Sequence, residues 1–174
     1  PECPRPAARG GHVTAAADIA LVIFDVDGVL TDGRLLFGPD GETLKSFHVR
    51  DGHGIRMLIA AGIRVAVISG RRSTAVTVRM RELGVTDVAQ GVNDKSRALN
   101  ELLARTKIDA RNVACLVDDT PDLELMAAVG LPAAVADAHP KVLAAAAHVT
   151  RASGGQGAAR EFCDWLLAAR GGRQ

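Results

Sequence analysis

The 174-residue sequence has no tyrosine, one tryptophan and four phenylalanines. So few rings argue against a surface that stacks nucleic-acid bases. An excess of one charge is also missing: 21 Lys and Arg face 20 Asp and Glu, for a net charge of +1. The basic residues are scattered, so neither a nucleic-acid nor a membrane partner is expected. No apolar run approaches the roughly 20 residues of a membrane span. The N-terminal residues lack the ordered charged, apolar and cleavage regions of a signal peptide. Cysteine is sparse. Cys3, Cys115 and Cys163 are far apart and odd in number, which fits neither a disulfide framework nor a zinc site. Reduced thiols in a cytoplasmic protein are the expectation.

Aliphatic residues are what the chain does have, and hydrophobic residues make up 48% of it. That is enough for one sizeable core, expected over residues 17–170 as a single domain. Residues 1–16, rich in Pro, Ala and Gly, read as a mobile tail. Short apolar runs at 19–24, 63–68, 113–117 and 132–136 alternate with helical patterns near 53–61, 73–83, 95–105 and 121–129. Such alternation predicts βαβ units: an α/β fold with a mostly parallel sheet and helices on both faces. Gly62, Gly84 and Gly130 stand where helices should stop in left-handed caps. Residues 34–47 break the pattern with two short strands around Gly-Pro-Asp-Gly, a β-hairpin placed to act as a flap. A last helix is expected over 158–169.

The stretch FDVDGVLTDG, residues 24–33, follows the first apolar run. Residues i and i+2 of a strand share a face, so Asp25 and Asp27 would crowd unless a cation or a shared proton relieves them. Open α/β sheets bind ligands at the carboxyl ends of their strands. Other strand exits carry Ser69-Gly70-Arg71 and the acidic Asp118, Asp119 and Asp122, and Lys95 lies near a helix start. These are the parts of a phosphoryl-transfer site: a nucleophile, a proton donor, oxygen ligands for a divalent cation, and donors for phosphoryl oxygens. Alone, Ser69 can equally cap a helix, and Asp119 and Asp122 can cap the next helix or touch metal. His48, His139 and His148 have no metal spacing and read as structural.

DVDGVLTDG, ISGR, Lys95 and DDTPD, in that order, resemble the four motifs of the haloacid dehalogenase superfamily. FHVRDGHGI at 47–55, ADAHP at 136–140 and GGQGAAREFCDWLL at 154–167 narrow the resemblance to its 3-deoxy-D-manno-octulosonate 8-phosphate phosphatases. The resemblance implies a Rossmann-like three-layer α/β/α fold without a cap domain. It also implies Mg²⁺-dependent hydrolysis of that eight-carbon sugar-acid phosphate, through an aspartyl phosphate, for lipopolysaccharide synthesis. A homotetramer is implied, with each hairpin closing a neighbour's site. By the same analogy Asp25 is the nucleophile and Asp27 the general acid/base. Asp25, Asp27 and Asp118 serve the metal, with Asp119 and Asp122 in support. Ser69, Gly70 and Lys95 bind phosphate, while Arg50, Gly52, His53 and Arg71 are weaker candidates for substrate contacts.

Two residues depart from the family pattern. Val117 replaces a usual Gly, and would be strained if its φ were positive. Gln156 stands where the family often has Arg. Two rival readings remain beside the eight-carbon phosphatase: a catalytically weak tetramer-forming domain of the same fold, and a phosphatase for a nine-carbon keto-deoxy sugar acid.

Overall fold

The computed structural model describes residues 14–39 and 41–171. Strand β1 (Leu21–Phe24) is buried at every position, as expected of an apolar run flanked on both sides. It pairs in parallel with β4 (Arg64–Ser69) and β6 (Val113–Val117), Phe24 standing level with Val67 and Leu116. Outward lie β5 (Asp87–Gln90) beside β4, and β7 (Leu131–Ala134) then β8 (His148–Val149) beyond β6. The parallel sheet therefore runs β5-β4-β1-β6-β7-β8. The chain leaves β1 toward β4 and returns on its other side as β6. That reversal makes the exit of β1 the switch point where ligands bind.

The helices are α1 (Val49–Ala60), α2 (Thr74–Leu83), α3 (Lys95–Thr106), α4 (Leu123–Ala128), α5 (Pro140–Ala145) and α6 (Ala158–Gly171). They pack in two groups: α1 against α2 and α6, and α4 against α3 and α5. One continuous core between them includes Phe24, Ile55, Leu99, Leu116 and Phe162. The expected three layers are present.

Some expectations are corrected. Helix α1 starts at Val49, capped by His48, whose Nδ1 accepts from the Arg50 amide (3.1 Å). Gly62 and Gly84 are left-handed, at φ of +76° and +80°, but Gly130 is not. Helix α4 ends in extended Val129. Gly130 instead permits a close approach, since a Cβ there would lie 1.8 Å from the Arg111 carbonyl oxygen. Most of the expected tail lies outside the described residues, but the Thr14 amide donates to the Gly130 carbonyl (2.9 Å). Val117 is an ordinary β6 residue, because Lys107 is the only non-glycine among the described residues with positive φ. The strain that Val117 threatened is absent.

The hairpin forms as β2 (Leu36–Gly38) and β3 (Gly41–Leu44), antiparallel and apart from the main sheet. No helix among the described residues is long and apolar enough to cross a membrane.

Candidate active site

Asp25 is the first residue beyond β1. Its amide still extends the ladder by donating to the Leu116 carbonyl (3.1 Å), while its Oδ1 accepts from the Val26 amide (2.7 Å). The chain then winds around the Val26 carbonyl, which accepts from the amides of Val29, Leu30 and Thr31. This tight loop needs Gly28 at φ +85°, and a Cβ there would lie 2.0 Å from Asp118 Oδ2. The loops after β1 and β6 are therefore in close contact.

Lys95 opens α3, whose N-cap Asp94 accepts from the Arg97 amide (2.8 Å). Its buried ammonium donates to Asp25 Oδ2 (2.8 Å) and Asp122 Oδ1 (2.6 Å). Asp122 closes a single 3₁₀ turn, Thr120–Asp122, and is 1% exposed. Carboxylate oxygens of Asp25, Asp118 and Asp122 all lie within 4.8 Å of one another.

Three acids around one lysine leave excess negative charge in a poorly solvated place. Burial pushes the Asp118 carboxyl up to about 7, helped by Asp25, Asp122 and Asp119 against Lys95. Burial likewise raises Asp122 to about 6, with Asp25 adding and Lys95 opposing. Asp25 is raised too, because burial outweighs its bonds to Lys95 and the Val26 amide. Burial works against the Lys95 ammonium, but Asp25 and Asp122 overcome it and raise that pKa. Buried Asp118 Oδ1 has no hydrogen-bond partner among the described residues. An all-oxygen set with an orphaned carboxylate oxygen and surplus negative charge fits a hard divalent cation.

The structure regroups the sequence candidates. Asp27 and Asp25 leave the same strand, but the Asp27 carboxylate bonds to Lys45 and lies 4.0 Å from Arg71 Nε. The side chains that converge are thus Asp25, Asp118 and Asp122, where the sequence grouped Asp27 with Asp25 and Asp118. Ser69 ends β4, 2% exposed, and its Oγ accepts from the Arg71 amide (3.4 Å) across Gly70. It caps no helix; Ser73 is the N-cap of α2. Asp119 accepts from the Thr120 amide (2.7 Å) and caps the turn that delivers Asp122.

Arg50, Gly52 and His53 instead ride on the first turns of α1. Gly52 lies beneath Arg79, and His53 is exposed. Arg50 lines an open groove of about 840 Å³ with His148, Gln156 and Trp165, and none of the three clustered carboxylates lines it. The histidines read as structural are so: His48 and His139 cap helices, and His148 stacks on Trp165 at 4.0 Å.

Lys45 was missed by sequence reasoning. It follows β3, and its side chain is 1% exposed against Asp27. Only its hairpin's position, just after two acids, hinted at this. An isolated lysine otherwise reads as solvated.

These features define a phosphoryl-transfer site of a known class, and the comparisons agree. Residues 82–162 match the haloacid dehalogenase-like hydrolases, and the chain belongs to that family. Within it, the chain is 50% identical over 158 residues to the 3-deoxy-D-manno-octulosonate 8-phosphate phosphatase of Yersinia pestis, covering 91% of this chain and 84% of that one. Solved structures agree. The cobalt-bound deoxy-D-mannose-octulosonate 8-phosphate phosphatase of Haemophilus influenzae superposes with a TM-score of 0.89 at 45% identity, over 91% of this chain and 92% of that one. The 3-deoxy-D-manno-octulosonate 8-phosphate phosphatase of Moraxella catarrhalis, in complex with magnesium, phosphate and the sugar acid, superposes at 0.87 with 36% identity, over 90% of each chain.

Proposed function

We propose that this protein is a Mg²⁺-dependent phosphatase of 3-deoxy-D-manno-octulosonate 8-phosphate, releasing the free sugar acid for lipopolysaccharide precursor synthesis. The convergence of Asp25, Asp118 and Asp122 on one another, with Lys95 between two of them, carries the reaction class. The similarity to phosphatases of that sugar acid supports the substrate.

Asp25 attacks phosphorus, the ester P–O bond breaks, and an aspartyl phosphate forms. Asp27 gives its proton to the departing sugar oxygen. It then takes one from the water whose oxygen attacks phosphorus and frees Asp25. Lys45 and Arg71 hold the Asp27 carboxylate for both transfers. Ser69, the Gly70 backbone and Lys95 hold phosphoryl oxygens. Asp25 and Asp118 would hold the metal, with Asp122 and the Asp119-capped turn behind them. Mg²⁺ supplies the positive charge that lets an anionic nucleophile approach an anionic phosphate. Arg71 is the substrate contact this arrangement favours. Arg50, Gly52 and His53 make no hydrogen bond to the acid cluster among the described residues.

The hairpin leaves Leu36, Phe37 and Leu44 more than half exposed, at 51%, 65% and 63%. Such apolar exposure marks an interface. It supports a homotetramer in which the hairpin acts as a flap on a neighbour's site. Buried free thiols at Cys115 and Cys163 suit a reducing cytoplasm. Val117, which counted slightly for the catalytically weak alternative, extends β6 without strain.

The deciding experiment is kcat/KM across a panel of eight- and nine-carbon keto-deoxy sugar phosphates, with and without chelator. The eight-carbon ester should lead, and chelation should abolish its turnover. No turnover of any ester would defeat the reading.

A further inference from the structure

Two segments, Asp137-Ala138-His139 and Ser153-Gly154-Gly155-Gln156-Gly157, take no part in the chemistry above, yet the fold ties both to it. The His139 amide donates to the Asp118 carbonyl (2.7 Å). Asp137 Oδ1 accepts from the Gly154 amide (2.9 Å). The Gly155 amide donates to the Val29 carbonyl (2.9 Å). The glycines leave no room for a side chain between the two segments. A Cβ on Gly154 would lie 1.7 Å from the Gly28 carbonyl oxygen, and one on Gly155 would lie 2.4 Å from the Asp32 nitrogen. Gly28 in turn presses on Asp118, so the contacts close a ring. It passes from the Asp118 loop through Asp137 to the glycine turn, then to the Asp25–Asp32 loop and back to Asp118.

We infer that the Gly154–Gly155 turn, tethered by Asp137, is a positioning element that sets the separation of Asp25 and Asp118. Two acid-bearing loops that repel each other need something to hold them at one spacing before a cation binds. Backbone contacts without intervening side chains are stiff. The turn meets the nucleophile loop at Gly28, Val29 and Asp32, and Gly28 itself abuts Asp118, so an atom added at Gly154 disturbs the residue through which the two acid-bearing loops touch. Groups that orient metal-binding carboxylates from behind control affinity without touching the metal. This inference rests on the Mg²⁺-dependent reading above.

The test measures Mg²⁺ binding to the purified full chain by calorimetry, alongside kcat and KM for 3-deoxy-D-manno-octulosonate 8-phosphate. Gly154→Ala should weaken Mg²⁺ binding about tenfold and lower kcat while KM holds. Asp137→Ala should shift both in the same direction by less, and Asp137→Asn, which keeps the acceptor oxygen, should restore them. Gly130→Ala is the matched control. Its Cβ meets the Arg111 carbonyl oxygen at 1.8 Å, a clash of similar severity before β7, at the opposite end of the sheet. It should lower Tm and leave Mg²⁺ affinity unchanged. Wild-type affinity in Gly154→Ala, or an equal loss in Gly130→Ala, would overturn the inference.

If Gly154→Ala does not fold, hydrogen exchange on the wild type decides. Coupling is reciprocal, so Mg²⁺ should slow exchange of the Gly154 and Gly155 amides, and unchanged exchange would overturn the inference. Wild-type protein that shows these Mg²⁺ effects but hydrolyses no sugar phosphate would defeat only the functional reading.

Discussion

Two charge clusters stand at opposite ends of the parallel sheet and are near mirror images in composition. At the carboxyl end, one cation, Lys95, is shared by Asp25 and Asp122, with Asp118 beside them. At the amino end, one anion, Asp87, is shared by two cations. Its Oδ2 accepts from Arg64 Nε (2.5 Å) and its Oδ1 from Arg105 Nη2 (2.6 Å). Burial pushes the Asp87 carboxyl up, but both guanidiniums together outweigh burial and leave it below the ordinary carboxylate range. The carboxyls around Lys95 move the other way, and one oxygen there is orphaned. Buried charge alone does not mark function. A satisfied cluster locks the edge strand β5 onto β4, whereas an unsatisfied one is a site waiting for a ligand.

The largest effect should come from breaking the carboxyl-end cluster at its nucleophile. Asp25→Asn keeps the shape and removes the attacking oxygen's charge. Phosphatase activity should fall by about 10³-fold or more, with far-UV circular dichroism and Tm retained. Activity within tenfold of wild type would remove Asp25 from its role. Asp118→Asn should separate activity from stability at the same cluster. Relieving one of three crowded carboxylates should raise the metal-free stability by about 1 kcal/mol while activity collapses, the usual trade at a strained site. Paired thermal melts and assays check this, and a lower Tm would mean that Asp118 is a satisfied structural acid.

Much of the carboxyl-end cluster is legible in the sequence because strand geometry places it. Asp25 follows a fully apolar run that can only be a buried strand, and Asp118 follows another. Lys95 was readable as one member of an ordered set. Asp122 was ambiguous, since an acid five residues past a strand end caps a helix as readily as it binds lysine. Only the 3₁₀ turn capped by Asp119 decides between them. Strand β5 was missed because it is a half-buried edge whose first residue, Asp87, pairs with arginines. No apolar run announces such a strand. Helix α5 and the two-residue β8 are too short to show periodicity. The mirror cluster at Asp87 was invisible for a related reason. Arg64, Asp87 and Arg105 meet only when β4, β5 and α3 are assembled, and their spacings carry no signal.

The amino-end cluster should respond in stability alone, and less. Asp87→Asn leaves the Arg64 and Arg105 guanidiniums without a carboxylate, but both are substantially exposed and water screens them. The loss should be about 1 kcal/mol, roughly 2–4 °C in Tm for a chain of this size, with kcat unchanged. Its pH dependence has a definite sign. Asp87 is depressed in the folded state, so its contribution is complete above the ordinary carboxylate pKa of 3.8. It fades as pH falls through the lower folded value. Wild type and Asp87→Asn should therefore differ in Tm at pH 7 and converge in acid, below that range. A gap that persisted after Asp87 is protonated would assign the stabilisation to packing of the carboxyl group. That would erase the electrostatic contrast between the two ends of the sheet.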